Sequence, residues 1–263
     1  VRPRSSSTPI RQLACAEEIE AAIESGTDVR LVLVREGSED SATQRIVRAA
    51  TARGIRVEPV SQRTLARLSL RDPPSCALAL VGRDPRADLD GVLARRGAVW
   101  LLTGVTYPGN VGMVIRTAEV SGAQGIVIDG ALDREARRAA LRVSIRADRF
   151  MPVRWEPAAR LLEAASRFDH RVVAIDEAGD HMPWEIDLRG PRILVVGGES
   201  GGIPPEVLAR CHERICVPMA GFIPCYNVQA AVSAVAVERL RQTLCVPSVE
   251  PRVNATVPRL EST

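Results

Sequence analysis

Three short segments carry residue types from which a ligand site can be built: Tyr107-Pro-Gly-Asn-Val-Gly-Met-Val-Ile-Arg-Thr117, Gly197-Gly-Glu-Ser-Gly-Gly202 and Val217-Pro-Met-Ala-Gly-Phe-Ile-Pro-Cys-Tyr-Asn-Val228. Each places glycine or proline where an apolar, strand-like run meets a polar or helical one. At such junctions α/β proteins offer backbone N–H and C=O groups to a ligand. Glycines after the apolar run that ends at Val196 let the backbone approach a ligand closely, and Pro204 fixes the entry of the next helix. Taken alone, Gly-x-Glu-x-x-Gly is more often a plain strand-to-helix turn than a ligand loop. It is also not the dinucleotide fingerprint, which needs Gly-x-Gly-x-x-Gly after a first strand. Arg116 stands in a helical pattern that begins near Asn110, with Val111, Val114 and Ile115 as its apolar face. An arginine so placed is either a ligand-facing cation or a solvated surface group. Asn110 and Asn227 head helical patterns, where asparagine is a favoured cap.

The remaining composition narrows the chemistry. All 35 cationic side chains are arginine, and lysine is absent. That excludes a Walker A phosphate loop, a Schiff base with pyridoxal phosphate and a kinase β3 lysine. Arginine forks bind phosphate bidentately and stack on bases, so an arginine-only basic surface suits RNA. The net charge of +3 is mild, so such binding depends on a local patch. Six cysteines are scattered without a Cys-x-x-Cys pair and are expected to be reduced thiols. A zinc site at Cys211, His212 and Cys216 would lack a second compact ligand pair. With 46% hydrophobic and 25% charged residues the composition is that of a soluble globular protein. No run approaches a membrane span and the first residues have no apolar signal region, so the chain is read as cytoplasmic.

The elements that must position these residues fall into two α/β patterns. Residues 1–12 are expected to be a flexible tail. From 13 to 83 the periodicity predicts helix Glu17 to Ser25, strand Val29 to Val34, helix Thr43 to Arg53, strand Ile55 to Val60, helix Gln62 to Leu68 and strand Cys76 to Val81. Residues 84–96 turn charged and read as a linker with one helical segment. Residues 97–245 open on the apolar strand Ala98 to Leu102 and then alternate amphipathic helices with continuous apolar strands. That pattern predicts a parallel sheet covered on both faces, the doubly wound α/β class. Residues 246–263 are polar and read as a second flexible tail.

Together, in this order and near this spacing, the three segments resemble the signature motifs of TrmH-type SPOUT RNA 2′-O-ribose methyltransferases. The first motif, Asn-x-Gly-x-x-x-Arg-Thr, is met at Asn110, Gly112, Arg116 and Thr117. The second, Gly-x-Glu-x-x-Gly, is met at Gly197, Glu199 and Gly202. The third is met at Val217, Pro218, Met219, Gly221 and Asn227. The resemblance implies a C-terminal α/β domain with a trefoil knot, preceded by a small L30e-like α/β/α domain that binds RNA. It further implies S-adenosyl-L-methionine as cofactor, held by Gly197, Gly198, Glu199, Gly202, Val217, Met219, Gly221, Tyr226 and Asn227, largely through backbone. Arg116, Asn110, Glu199 and Asn227 are the implied catalytic set, with no metal. A free guanidinium stays protonated, so Arg116 fits phosphate binding and alkoxide stabilisation better than the role of a base. The implied assembly is a homodimer in which Arg116 of one subunit approaches the cofactor pocket of the other. The implied substrate is 23S ribosomal RNA first and transfer RNA second.

Four departures stand against the pattern. Where the family commonly reads Ser-Leu-Asn-Val-Ser, this chain reads Cys225-Tyr226-Asn227-Val228-Gln229, and the glycine expected two residues after Ser144 is Arg146. The altered third motif is the support for a rival reading, a catalytically silent RNA-binding homologue.

Overall fold

The computed structural model describes residues 10–71, 75–198, 201–223 and 225–244. They form a four-stranded and a six-stranded sheet. The smaller contains β1 (Arg11–Leu13), β2 (Val29–Arg35), β3 (Arg56–Val60) and β4 (Ala77–Val81), in the order β1-β4-β2-β3. Only β2 and β3 run parallel; β4 is antiparallel to both its neighbours. Helices α1 (Ala16–Glu24) and α2 (Ser41–Ala52) cover one face, packing Ile19, Ile23, Ile46 and Ala50 on Val32, Val34, Ala77 and Ala79. The other face carries Leu31, Leu33 and Leu78, and the short helix α3 (Gln62–Leu68) covers it only in part, through Leu65.

Arg11 and Gln12, expected in a flexible tail, instead form the edge strand β1. A three-residue strand with one buried side chain is too short to show alternation. Its tie is a side-chain amide: Gln12 Nε2 donates to the Leu68 carbonyl at 2.9 Å and its Oε1 accepts the Leu70 N–H at 3.0 Å. The expected linker also folds. Asp88 caps α4 (Leu89–Ala94) by accepting the Gly91 N–H at 2.8 Å, and Val92 and Leu93 are buried in the core of the larger sheet.

That sheet contains β5 (Ala98–Thr103), β6 (Gly125–Asp129), β7 (Val153–Arg154), β8 (Arg171–Ile175), β9 (Arg192–Val196) and β10 (Glu213–Ile215). The strand order is β10-β8-β9-β5-β6-β7 and every pair is parallel, as the continuous apolar runs predict. All six residues of β5 are buried, and alternate ones point to opposite faces. Trp100 and Leu102 meet α5 (Pro108–Val120) and α9 (Val228–Leu244) through Val114, Ile115, Val232 and Val235. Val99 and Leu101 meet α4 and α7 (Ala158–Arg167) through Leu93, Leu161 and Leu162. Between these lie α6 (Arg134–Val143) and, before β10, α8 (Pro205–Leu208). Among the described residues no helix is long and apolar enough to cross a membrane.

The two sheets are joined by a buried arginine. Arg83 follows β4 and is 1% exposed. Its Nε donates to the Phe150 carbonyl at 2.7 Å, Nη1 to the Ala123 carbonyl at 2.5 Å and Nη2 to Glu119 Oε1 at 2.5 Å. Desolvation pushes its pKa down and Glu119 opposes that, so the carboxylate is what keeps the charge affordable. Nearby, Arg149 donates to Glu58 on β3 at 2.5 Å, and Phe150 packs against the leucine face of the small sheet.

Candidate functional site

Two of the three motif segments converge at the carboxyl ends of β8, β9 and β10. They enclose a cavity of about 670 Å³, lined by Gly197, Gly198, Gly201, Gly202, Val217, Met219, Tyr226 and Asn227 among others. The first motif reaches it through a hydrogen bond: Asn227 Nδ2 donates to Asn110 Oδ1 at 3.1 Å, across 117 positions of sequence. Asn227 also heads α9, its Oδ1 accepting the Gln229 N–H at 2.9 Å and its carbonyl the N–H groups of Ala230 and Ala231. Capping and site-building are here the same residue. Asn110 is not a cap, because α5 begins earlier at Pro108 with Tyr107 in the cap position.

The glycine segment folds back on itself: the Gly198 N–H bonds the Gly202 carbonyl at 3.2 Å and the Gly202 N–H returns to the Gly198 carbonyl at 3.0 Å. A Cβ on Gly197 would collide with the backbone of Gly202 and Ile203. No side chain fits there. The wall is therefore backbone, which suits a neutral nucleoside whose edges need donors and acceptors more than charge. Gly112 of the first motif has a different reason. A Cβ there would strike the Ala140 carbonyl and Val143, so the glycine permits close packing of α5 on α6.

Gly221 is exposed and lies outside the cavity lining, on the loop that carries Met219. Glu199 lies outside the described residues. Tyr226 is half-exposed, and its hydroxyl donates to the Pro218 carbonyl at 3.2 Å, bracing the loop that carries Val217 and Met219. Cys225, in place of the family's serine, also lines the cavity. Motif reading missed Ile175, Asp176 and Glu177, which form the wall at the end of β8. The available signal was an apolar strand ending in two carboxylates, since ligands of open α/β sheets sit beyond strand carboxyl ends.

Arg116 does not line this cavity. It projects from the exposed side of α5, opposite the buried Val111, Val114, Ile115 and Ala118, and reaches the rim of a second cavity between the two sheets. Ser144 also borders that second cavity, with its Oγ donating to the Leu141 carbonyl at 2.9 Å. Arg146 takes the left-handed conformation at φ 61°, as the expected glycine would, and Asp148 holds its guanidinium with two contacts of 3.0 Å.

The residues weighed as zinc ligands have other work. His212 Nδ1 accepts the Val172 N–H at 3.0 Å, and the Cys211 thiol, pushed up to about 11 by burial, donates to the Val207 carbonyl. A thiol so raised is neither a ready ligand nor a nucleophile at neutral pH.

A doubly wound parallel sheet with a glycine-walled cavity beyond its strand ends defines a nucleoside-binding α/β protein. Residues 98–237 match the SpoU rRNA Methylase family, and the chain belongs to that family. Residues 17–81 match a second family, RNA 2′-O ribose methyltransferase substrate binding. The 23S rRNA (guanosine-2′-O-)-methyltransferase RlmB of Haemophilus influenzae is 28% identical over 221 residues, spanning 81% of this chain and 89% of that protein. Among solved structures, an RNA 2′-O ribose methyltransferase aligns with TM-score 0.52 at 25% identity, covering 90% of each chain. The SpoU methyltransferase AviRb of Streptomyces viridochromogenes, in complex with AdoMet, has the same fold: TM-score 0.56 at 24% identity, covering 90% of this chain and 91% of the other.

Proposed function

We propose that this protein transfers a methyl group from S-adenosyl-L-methionine to a ribose 2′-hydroxyl of 23S ribosomal RNA in the cytoplasm. The observation that carries the reading is the backbone-walled cavity at the strand ends, joined to the first motif through Asn227 and Asn110. The cavity fits the cofactor on two counts: its volume lies within the range of about 300–1,000 Å³ usual for such ligands, and its glycine wall admits close approach. Gly197, Gly198, Gly202, Val217, Met219, Tyr226 and Asn227 would hold it; Glu199 and Gly221 belong to the same two segments by sequence. When bound, S-adenosylmethionine supplies an electrophilic methyl carbon on a sulfonium.

The protein's own part is to position and to stabilise charge. Arg116 binds the RNA phosphate and steadies the alkoxide that develops as the 2′-hydroxyl loses its proton, while the proton itself passes to solvent or phosphate. Because Arg116 opens away from the cavity of its own subunit, it serves a partner's cavity in a homodimer. The exposed faces of α5 and α9 support that assembly. Met113 lies on one, and Ala230, Ala234 and Val237 form a stripe on the other. Ala234→Glu should yield monomers that bind cofactor yet transfer no methyl group, read by light scattering beside the activity assay.

The direct test incubates the protein with labelled S-adenosylmethionine and either a 23S ribosomal RNA transcript or transfer RNA, then maps ribose methylation. Label at a single 2′-oxygen of the ribosomal transcript is expected. Label on transfer RNA alone would move the substrate, and cofactor binding without transfer to either would overturn the enzymatic reading.

A further inference from the structure

The second cavity, about 580 Å³ in volume, lies where the leucine face of the small sheet meets the end of α5 and the residues before β7. Leu33, Leu80 and Phe150 wall it, and Arg11, Arg67 and Arg116 stand at its rim. These three guanidinium groups have no carboxylate partner among the described residues. The cavity's one lining carboxylate, Glu119, is already committed to Arg83. Its neighbouring polar groups are committed too: Gln12 to the backbone of Leu68 and Leu70, and Ser144 Oγ to Leu141. What remains is an apolar slot with one aromatic ring and an uncompensated positive rim. An aliphatic peptide would leave the arginines unpaired, and an inorganic anion would leave the leucines bare.

Resting on the RNA methyltransferase reading, we propose that this cavity receives the base of an unstacked substrate nucleotide adjoining the reacting ribose. The base lies against Leu33, Leu80 and Phe150, and the flanking phosphates lie on Arg11 and Arg67. Single-stranded RNA is read in this way, by bases splayed onto aromatic or apolar surface with arginine on the backbone. Arg116 shares the rim, so the nucleotide held here is covalently next to the one whose 2′-oxygen reacts. The contacts of Arg83 and of Arg149 with Glu58 hold the two walls together before RNA arrives. Recognition is thus shared between the substrate-binding segment and the methylase segment, instead of residing in the former alone.

The test uses the full chain and a single-stranded hexaribonucleotide, free or annealed to its complement, with binding followed by calorimetry against salt. Wild-type protein is expected to prefer the single strand. The variant Arg11→Ala/Arg67→Ala should lower its affinity about tenfold and reduce the slope of log affinity against log salt by about 1.4, the value for two phosphates of a single strand. S-adenosylmethionine affinity and Tm should not move, since both side chains are exposed and far from the glycine wall. With 4-thiouridine in the RNA, ultraviolet crosslinks should fall on the peptide containing Phe150. Equal binding of duplex and single strand, or a variant with unchanged slope and affinity, would show the cavity to be a gap between sheets. The binding arms need no turnover. If wild-type protein binds the single strand as described yet methylates no RNA, the enzymatic reading fails together with the placing of the base beside a reacting ribose, and the cavity's hold on an unstacked base is what remains.

Discussion

The cavity at the strand ends has one wall of bare backbone, at Gly197, Gly198, Gly201 and Gly202, whereas the cavity between the sheets is walled by side chains from both units. In the first, Gly197 can be nothing else, yet Cys225 and Tyr226 have replaced the family's usual residues, and the Tyr226 hydroxyl itself braces the loop. In the second, three arginines and a few leucines carry the whole character of the site, and a single substitution changes its charge. A site made of peptide groups tolerates drift in side chains but not in shape. A site made of side chains tolerates small shifts in shape but not in identity.

The sharpest way to break this comparison is Arg116→Ala. Methyl transfer should fall about 10³-fold, the loss typical of removing a charge-stabilising group, with S-adenosylmethionine affinity kept within a few-fold. Near-normal turnover would remove Arg116 from the chemistry. Next is Gly197→Ala, whose methyl group meets the backbone of Gly202. Because the strand-end wall must move to admit it, cofactor affinity by calorimetry should drop about a hundredfold. An unchanged dissociation constant would show that the glycine wall is not the binding surface.

Arg83→Met probes the joint. Three acceptors lose their donor, and Glu119 is left half-buried without a counter-charge, so unfolding free energy from denaturant titration should fall by about 3 kcal/mol. RNA affinity should weaken about tenfold, because the walls of the second cavity no longer hold their spacing. Cofactor affinity should stay as it was. The smallest effect is expected from the pair Cys225→Ser and Tyr226→Leu, which restores the family's usual residues at the backbone-walled site. Turnover should change by no more than about threefold, and a larger gain would mean that these side chains matter to the pocket after all.

Where the fold was legible, one signal was long and unbroken. The apolar run from Ala98 to Leu102 gives β5 to within one residue, because a strand buried on both faces needs continuous hydrophobicity. Edge elements were legible only in part. β1 has a single buried residue and was missed, while α4 was expected as one helical segment of a linker, its three buried residues hidden in a segment otherwise charged. The motif glycines and Asn227 were found because their chemistry is local: a turn, a close approach, a cap. Arg83 looked like any other arginine. Its partners lie 36, 40 and 67 positions away, and no local pattern says which carbonyls a guanidinium will meet. The same holds for the second cavity, whose walls come from Ile10 to Leu80 and from Arg116 to Phe150. The left-handed Arg146 is a half-legible case, since the sequence lacks the glycine but the backbone keeps its conformation.

The hydrogen bond between Asn110 and Asn227 also has a consequence in time. A ribosome makes the chain from its amino end, so every strand of the small sheet is complete by Val81, before the first strand of the large one begins at Ala98. The lining of the strand-end cavity is not complete until Ala231 has emerged, and Asn110 waits 117 residues for its partner. A nascent chain therefore owns its leucine-faced sheet long before it can own a place for a methyl donor, and premature termination before Ala231 leaves the first without the second.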